Sequence, residues 1–324
     1  MMAITAAKGP VAAKTPAQKR RASGAAKWTL RRASSLQILD AAPLARLDWL
    51  VHGFSTRPGG LSRMENLRRG QKETEKVLNL GFTDWDSRER VLENRRKFYG
   101  ALHAEKMRAV TLRQIHSDVV YRIDAARAPN AQAPRGDALI TRERDVLLVV
   151  QTADCVPILL ADTKNRAVAA IHSGWRGTLR SIAEKTLGWM RMYFDTRPED
   201  VIAAVGPGIG RCCYEVGSEV AKEFDSQFSE AREWFDGPFD AVAAGENDPN
   251  WLPWLTMRPP GHAPPPLRVQ LDLIAANRSI LAKTGVPIAQ ILSSDFCTSC
   301  RTDLFFSYRR ENSTGRMMAA IGIR

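Results

Sequence analysis

Apolar residues along this chain fall into short runs with two different periods. Near residues 110–115, 119–123, 138–141, 146–150, 156–160 and 167–171, Val, Ile, Leu and Ala cluster between Gly, Pro, Asp and charged residues. Runs this short and this rich in branched aliphatics predict buried strands. Elsewhere the apolar positions recur at helical spacing. Val91, Leu92, Phe98 and Leu102 predict a helix reaching about Ala104, capped by Asp84 or Asp86. Leu179, Ile182, Leu187 and Met190 predict another after Gly177-Thr178. A third covers about 271–283 and stops at Gly285, with Pro287 just beyond. Residues 201–205 read as a strand ending at GPGIG, and further strands are predicted near 288–293, 304–308 and 317–323. Strands and helices mix without strict alternation, which predicts an α+β fold with mixed β-sheets flanked by helices.

Three stretches break the periodicity. Residues 1–35 are rich in Ala, Lys, Arg, Ser and Pro, and no acid precedes Asp40. That composition predicts a disordered basic tail, with an organellar targeting sequence as the alternative. Residues 63–76 are densely charged and read as an exposed loop or short helix. Residues 234–266 carry eight prolines and read as a surface insertion in a single domain over 36–324.

Composition narrows the function classes. With 324 residues, 44% hydrophobic and 25% charged, the chain can bury a substantial core. Its greasiest stretch, 146–160, is interrupted by Gln151, Thr152 and Asp154, so no membrane span is expected. The net charge of +12 owes eight of its positive residues to the segment before Asp40. The rest is only modestly basic, which argues against a nucleic-acid partner. Five cysteines, without a secretory signal, point to a reducing cytoplasm where thiols are free to bind metal or pack.

Candidate chemistry lies in QIHS around His116, TADCVP around Cys155 and IHSGWRG around His172. Each places a borderline or soft ligand at the end of a strand-like run, and two imidazoles with one thiolate suit Zn²⁺ while leaving a fourth position for water. The separations of 39 and 17 residues carry little weight, since a lone strand Cys or His is more often packing. The wrapping carries more. Asp154 puts a carboxylate in an apolar run, and Gly174 and Gly177 bracket Trp175-Arg176 in a tight loop. GPGIG lacks the spacing of a dinucleotide loop and the Lys of a P-loop, so a tight turn is expected. Cys212-Cys213 with Cys297-x-x-Cys300 contains one edge of a structural zinc site, but adjacent cysteines are a poor second edge, and packed thiols are the default reading.

The strings HGFSTRPGG, LNLG, ENRRKF, RQIHSD, TADCVPILL, AIHSGWRGT, GPGIGRCCYEVG, FFSYRR and TGRMMAAIGI, in this order, resemble the multicopper polyphenol oxidase (laccase-like) family. Its members are better described as zinc-dependent purine nucleoside phosphorylases with adenosine deaminase activity. The resemblance implies a single layered α/β domain, zinc ligands at His116, Cys155 and His172, and nucleosides and inorganic phosphate as partners. It makes Arg57 a candidate for orienting phosphate, assisted by Arg176 unless that guanidinium stacks on Trp175. Asp154 becomes the candidate proton shuttle. The charged stretch 63–76 and the insertion depart from the family pattern. Rival readings are a copper polyphenol oxidase, for which five histidines are few, and a cysteine hydrolase using Cys155 with His172 or His116.

Overall fold

The computed structural model describes residues 27–68, 71–124, 133–237 and 268–324. Two six-stranded sheets lie at its centre. The first runs β1 (Trp28–Ala33), β2 (Leu36–Ala41), β3 (Leu50–Ser55), β17 (Met317–Ile323), β9 (Val146–Thr152) and β6 (Arg108–Thr111). The second runs β16 (Ile291–Ser293), β12 (Val201–Val205), β10 (Val156–Asp162), β11 (Ala167–Ser173), β8 (Ala138–Thr141) and β7 (Val120–Arg122). Both are mixed: β6–β9, β12–β16 and β7–β8 are parallel and the other pairs antiparallel.

Side-chain alternation along the strands explains the layers. From β9, Leu148 and Val150 meet Leu159, Ala170, Ile321 and Phe54 in a core between the sheets. Their neighbours Leu147 and Val149 face the other way, onto Phe98 of α2 (Arg88–Ala101). Ile158 and Leu160 of β10 and Ile171 of β11 pack on Leu187 and Met190 of α4 (Ile182–Phe194) and Ile280 of α6 (Leu273–Lys283). The order is therefore helix, sheet, sheet, helices. Central strands buried on both faces need apolar residues throughout, which is why they read as continuous runs. Burying one such aliphatic side chain contributes about 1.5–3 kcal/mol. No described helix is long and apolar enough to cross a membrane.

Shorter elements complete the chain: α1 (Ala42–Ala45), α3 (Trp175–Leu179), α5 (Ser218–Gln227) and α7 (Tyr308–Glu311). A three-stranded sheet joins β13 (Glu215–Gly217), β15 (Arg268–Leu271) and β14 (Phe235–Asp236).

The structure corrects several boundaries. The charged stretch is a hairpin, β4 (Pro58–Arg68) with β5 (Gln71–Val77). Ser62 and Met64 point inward while Leu61, Arg63 and Glu65 point out. The period of two is real, but its inward positions include a polar residue and its outward ones an apolar residue. The tail reading extends too far: β1 pairs with β2 along its whole length, and Trp28 sets its ring 5.3 Å from Phe54 and donates to Ser293 O at 2.8 Å. The first 26 residues lie outside the described residues. The expected insertion cannot begin at 234, because Trp234 and Phe235 are buried against Phe224. Residues 238–267 lie outside the described residues. Helix α2 is capped by Ser87, whose Oγ accepts from Arg90 N, while Asp86 instead accepts from Ser62 and Asn79. Residues 304–307 form a buried loop rather than a strand, with Phe305 and Phe306 fully covered.

Candidate metal centre

Strand β9 ends in the first sheet and β10 begins in the second, so residues 153–155 must cross between them. Asp154 makes the turn with φ of 89°, a conformation costly for a non-glycine residue. The turn delivers Cys155 beside the end of β11, where His172 faces Pro157 in register. His116 arrives from the loop between β6 and β7, also at positive φ. The donor atoms of His116, Cys155 and His172 lie within 4.8 Å of one another, and the two imidazoles meet edge to face at 5.0 Å. His172 is buried, Cys155 half-buried and His116 exposed, so the trio is rooted in the core and open on one side.

One residue that sequence reasoning missed organises two of these donors. Asp137, fully buried just before β8, accepts from His172 Nδ1 at 2.9 Å, from His116 N at 3.1 Å and from Ser117 N and Oγ at 2.6 and 2.7 Å. Its bond to Nδ1 leaves Nε2 of His172 as the donor facing the trio, the usual device for aiming an imidazole at a metal. Burial alone would raise the Asp137 pKa, but the His172 and Ser117 bonds outweigh it and hold the carboxyl near 2. Burial likewise opposes ionisation of Cys155, and the neighbouring imidazoles overcome it, lowering the thiol to about 6. His172 is raised in turn, against burial, by Cys155 and Asp137. The sulfur is therefore poised as the thiolate that a metal binds. Gly174 completes the wall: a Cβ there would stand 2.9 Å from Cys155 Sγ and 3.2 Å from His116 Cδ2. An acid immediately before a buried strand was the only sequence signal for Asp137.

The other expected residues divide. Trp175 and Arg176 open α3 directly behind Gly174, and the guanidinium sits 4.3 Å over the indole. Asp154 accepts from Thr298 Oγ1 and from Arg309 N, both at 2.7 Å, fastening the crossing to the C-terminal loop. Arg57 corrects the expectation of a guanidinium free to take an anion. It is 1% exposed, pairs with Glu311 at 2.5 Å and Glu75 at 3.3 Å, and lies over Phe306. Two carboxylates already answer its charge. Tyr214, unremarked in the sequence, is raised in pKa by burial and by the negative charges of Cys155 and Asp154, with Arg309 and Arg176 opposing. Arg309 lies 5.3 Å over its ring, so this phenol stands in one electrostatic neighbourhood with the thiolate and two exposed guanidiniums. GPGIG behaves as a turn: its Gly206 N donates to Pro157 O and its Ile209 N to Asp154 O, spending those groups on the crossing.

The multi-copper polyphenol oxidoreductase laccase family matches residues 51–324, a span containing all three donors and Asp137. The chain belongs to this family. Among relatives of the laccase-family chain, purine nucleoside phosphorylase YlmD of Geobacillus stearothermophilus is 35% identical over 285 residues, 85% of this chain and 90% of its own. A purine nucleoside phosphorylase of Deinococcus radiodurans is 36% identical over 295 residues, 90% of this chain and 94% of its own. The crystal structure of Geobacillus stearothermophilus YlmD superimposes with a TM-score of 0.71 at 31% identity, covering 91% of this chain and 98% of that one. Bacillus licheniformis hypothetical protein YfiH gives 0.72 at 26% identity, covering 93% and 100%. These matches agree with the mixed-sheet α/β fold of the laccase-family chain. Its histidines gather no larger cluster: among the described residues, His52 is buried in β3, and only His116 and His172 come together as potential ligands.

Proposed function

We propose that this chain is a zinc-dependent purine nucleoside phosphorylase, cleaving adenosine, inosine, guanosine or 5′-methylthioadenosine with phosphate, with adenosine deaminase activity at the same site. The observation that carries the reading is the Asp137-anchored His116–Cys155–His172 trio, open on one side, beside Tyr214 and the guanidiniums of Arg176 and Arg309. The printed names of the relatives point the same way. Two neutral imidazoles and a thiolate fit Zn²⁺, and the ion held there would supply Lewis acidity.

The chain's own residues supply the rest. In phosphorolysis the phosphate oxygen attacks C1′ as the glycosidic bond breaks and the purine takes its electron pair. Arg309 would hold the phosphate, a positioning and electrostatic role that replaces the one expected of Arg57, while Arg176 stays stacked on Trp175. Tyr214 and the indole of Trp175 offer faces for the nucleoside. Asp154 would carry the proton to the purine nitrogen. Deamination, in which water adds at C6 of adenine and the amino group leaves as ammonia, needs a second pose that brings C6 to the trio, with Asp154 moving the proton from the water to the departing nitrogen.

The test joins metal analysis to product analysis. Purified protein should release a sugar 1-phosphate from adenosine and inosine only when phosphate is present. Cys155→Ala should lose one equivalent of zinc and both activities while keeping its fold. Full zinc retention in that variant, or release of the free purine base indifferent to phosphate, would overturn the reading. The thiolate–imidazole pair also favours a specific rival, a cysteine hydrolase. In that case an alkylating reagent would label Cys155 in zinc-loaded protein, whereas a metal-bound sulfur resists it.

A further inference from the structure

Strands β12 and β16 are parallel neighbours, so the chain leaves both at the same edge of the second sheet. Their pairing continues past the strands through a bridge between Gly208 and Cys297, and Thr298 N donates to Gly208 O at 3.0 Å. Cys212-Cys213, beyond the first exit, is thereby brought against Cys297 and Cys300, beyond the second. All four sulfurs lie within 4.8 Å of one another, with Cys213–Cys300 at 3.4 Å and Cys212–Cys300 at 3.5 Å. All four are free thiols. The expectation of separately packed thiols does not survive: adjacent cysteines make a usable edge because they meet the CxxC pair across the sheet end.

From this geometry we propose a second, structural metal site, in which Cys212, Cys213, Cys297 and Cys300 hold a single zinc ion as a tetrathiolate. Bonds of about 2.3 Å at tetrahedral angles place sulfurs about 3.8 Å apart. The two short separations fall about 0.3–0.4 Å below that value and none of the others exceeds 4.8 Å, so small side-chain adjustments close the tetrahedron. A disulfide would need a pair at about 2.05 Å. Four thiolates at this spacing repel one another strongly, and a dication is the natural way to hold them. The surrounding backbone is shaped for the sulfurs. Gly210 N donates to Cys297 Sγ at 3.2 Å, the kind of N–H···S contact that steadies a ligating sulfur. A Cβ on Gly210 would stand 3.1 Å from Cys297 Cβ and 3.4 Å from both Cys212 Sγ and Cys297 Sγ, so a side chain there would crowd the sulfurs. Cys212 and Cys300 are exposed, giving an ion a way in without opening the core.

The site is independent of the nucleoside reading, but it braces the same wall. Tyr214 follows Cys213 directly, and Thr298, inside the CxxC, donates to Asp154. A clamp here holds the C-terminal loop against the β9–β10 crossing.

The test uses full-length protein purified without chelator. Wild type should carry about two zinc ions, Cys155→Ala about one, and Cys155→Ala with Cys297→Ser and Cys300→Ser none. On wild type, an organomercurial should release one zinc in step with four thiols. Protein loaded with cobalt after zinc removal should show the intense sulfur charge-transfer bands of a tetrathiolate, and these should persist in Cys155→Ala. If the double serine replacement fails to fold, Cys212→Ser at an exposed position and the mercurial titration of wild type still decide the matter. One zinc per wild-type chain, with no loss on Cys212→Ser, would overturn the proposal. So would acid-labile sulfide with iron, or two thiols missing to a disulfide.

Discussion

At the scale of single residues, what each side chain can do is set by what already occupies it. Arg57 and Arg309 show the contrast. The first is buried between two carboxylates, and the second is exposed over Tyr214, with one nitrogen on Glu215 O. Arg309→Ala should therefore raise the phosphate requirement about ten- to a hundredfold, matching the roughly 1.5–3 kcal/mol of a lost charged contact, with a smaller effect on the nucleoside KM. Arg57→Ala should instead cost about 3 kcal/mol of stability by stranding Glu75 and Glu311, as measured by urea unfolding. Equal phosphate KM values in wild type and Arg309→Ala would place the anion elsewhere. Asp154→Asn separates holding from proton transfer. The amide oxygen can accept from Arg309 N while its NH₂ donates to the Thr298 hydroxyl, so both contacts survive. Thermal midpoint and zinc content should stay level while turnover falls by about 10² to 10⁴. Wild-type turnover in this variant would leave Asp154 a holding role alone.

Among the elements, strand β1 is the one whose role the composition hid. None of its residues is buried and two of the six are arginines, yet its first residue, Trp28, docks on Phe54 and bonds to β16 in the other sheet. A chain beginning at Lys27 should match full-length turnover on small nucleosides. One beginning at Ser35 loses the strand, leaves the edge of β2 unpaired and uncovers Phe54, and should melt several degrees lower. Equal melting of the two chains would make β1 dispensable. The β4–β5 hairpin teaches the same lesson. Local composition says that a segment is charged, but only its partner strand says that it is extended.

For the whole molecule, the buried face between the sheets couples stability to pH through His52. Its Nε2 accepts from Ala41 N at 3.0 Å, which needs an unprotonated nitrogen, and burial, helped by Arg31, lowers its pKa from 6.5 to about 4. Folded protein keeps this ring neutral where the unfolded chain would take up a proton. Stability is therefore full above about pH 6.5, declines as pH falls toward 4, and loses about 3 kcal/mol to this group over that window. His52→Gln keeps an acceptor for Ala41 N and cannot titrate, so the difference in urea midpoint between pH 7.5 and pH 5 should shrink in that variant. An undiminished difference would assign the pH dependence to other groups.

Much of this architecture follows from local rules that a sequence expresses directly. Double-sided burial writes β9, β10 and β11 as apolar runs, helical spacing marks α2, α4 and α6, and the three candidate ligands stand where apolar runs end or begin. For that reason His116, Cys155 and His172 could be singled out as candidates, and the fold brings their donor atoms within 4.8 Å of one another. Relationships between distant residues were not. Arg57 is neutralised by Glu311, 254 positions away, and Cys212 meets Cys300 across 88. Asp137 acquires its meaning only when β8 lies beside β11. Sequence alone determined which segments are buried and which side chains can ligate or carry charge, because period and residue chemistry are local properties. Tertiary structure alone decided which charges are already answered and which thiols share a centre, because those depend on strand order and register, where neighbours in space are strangers in sequence.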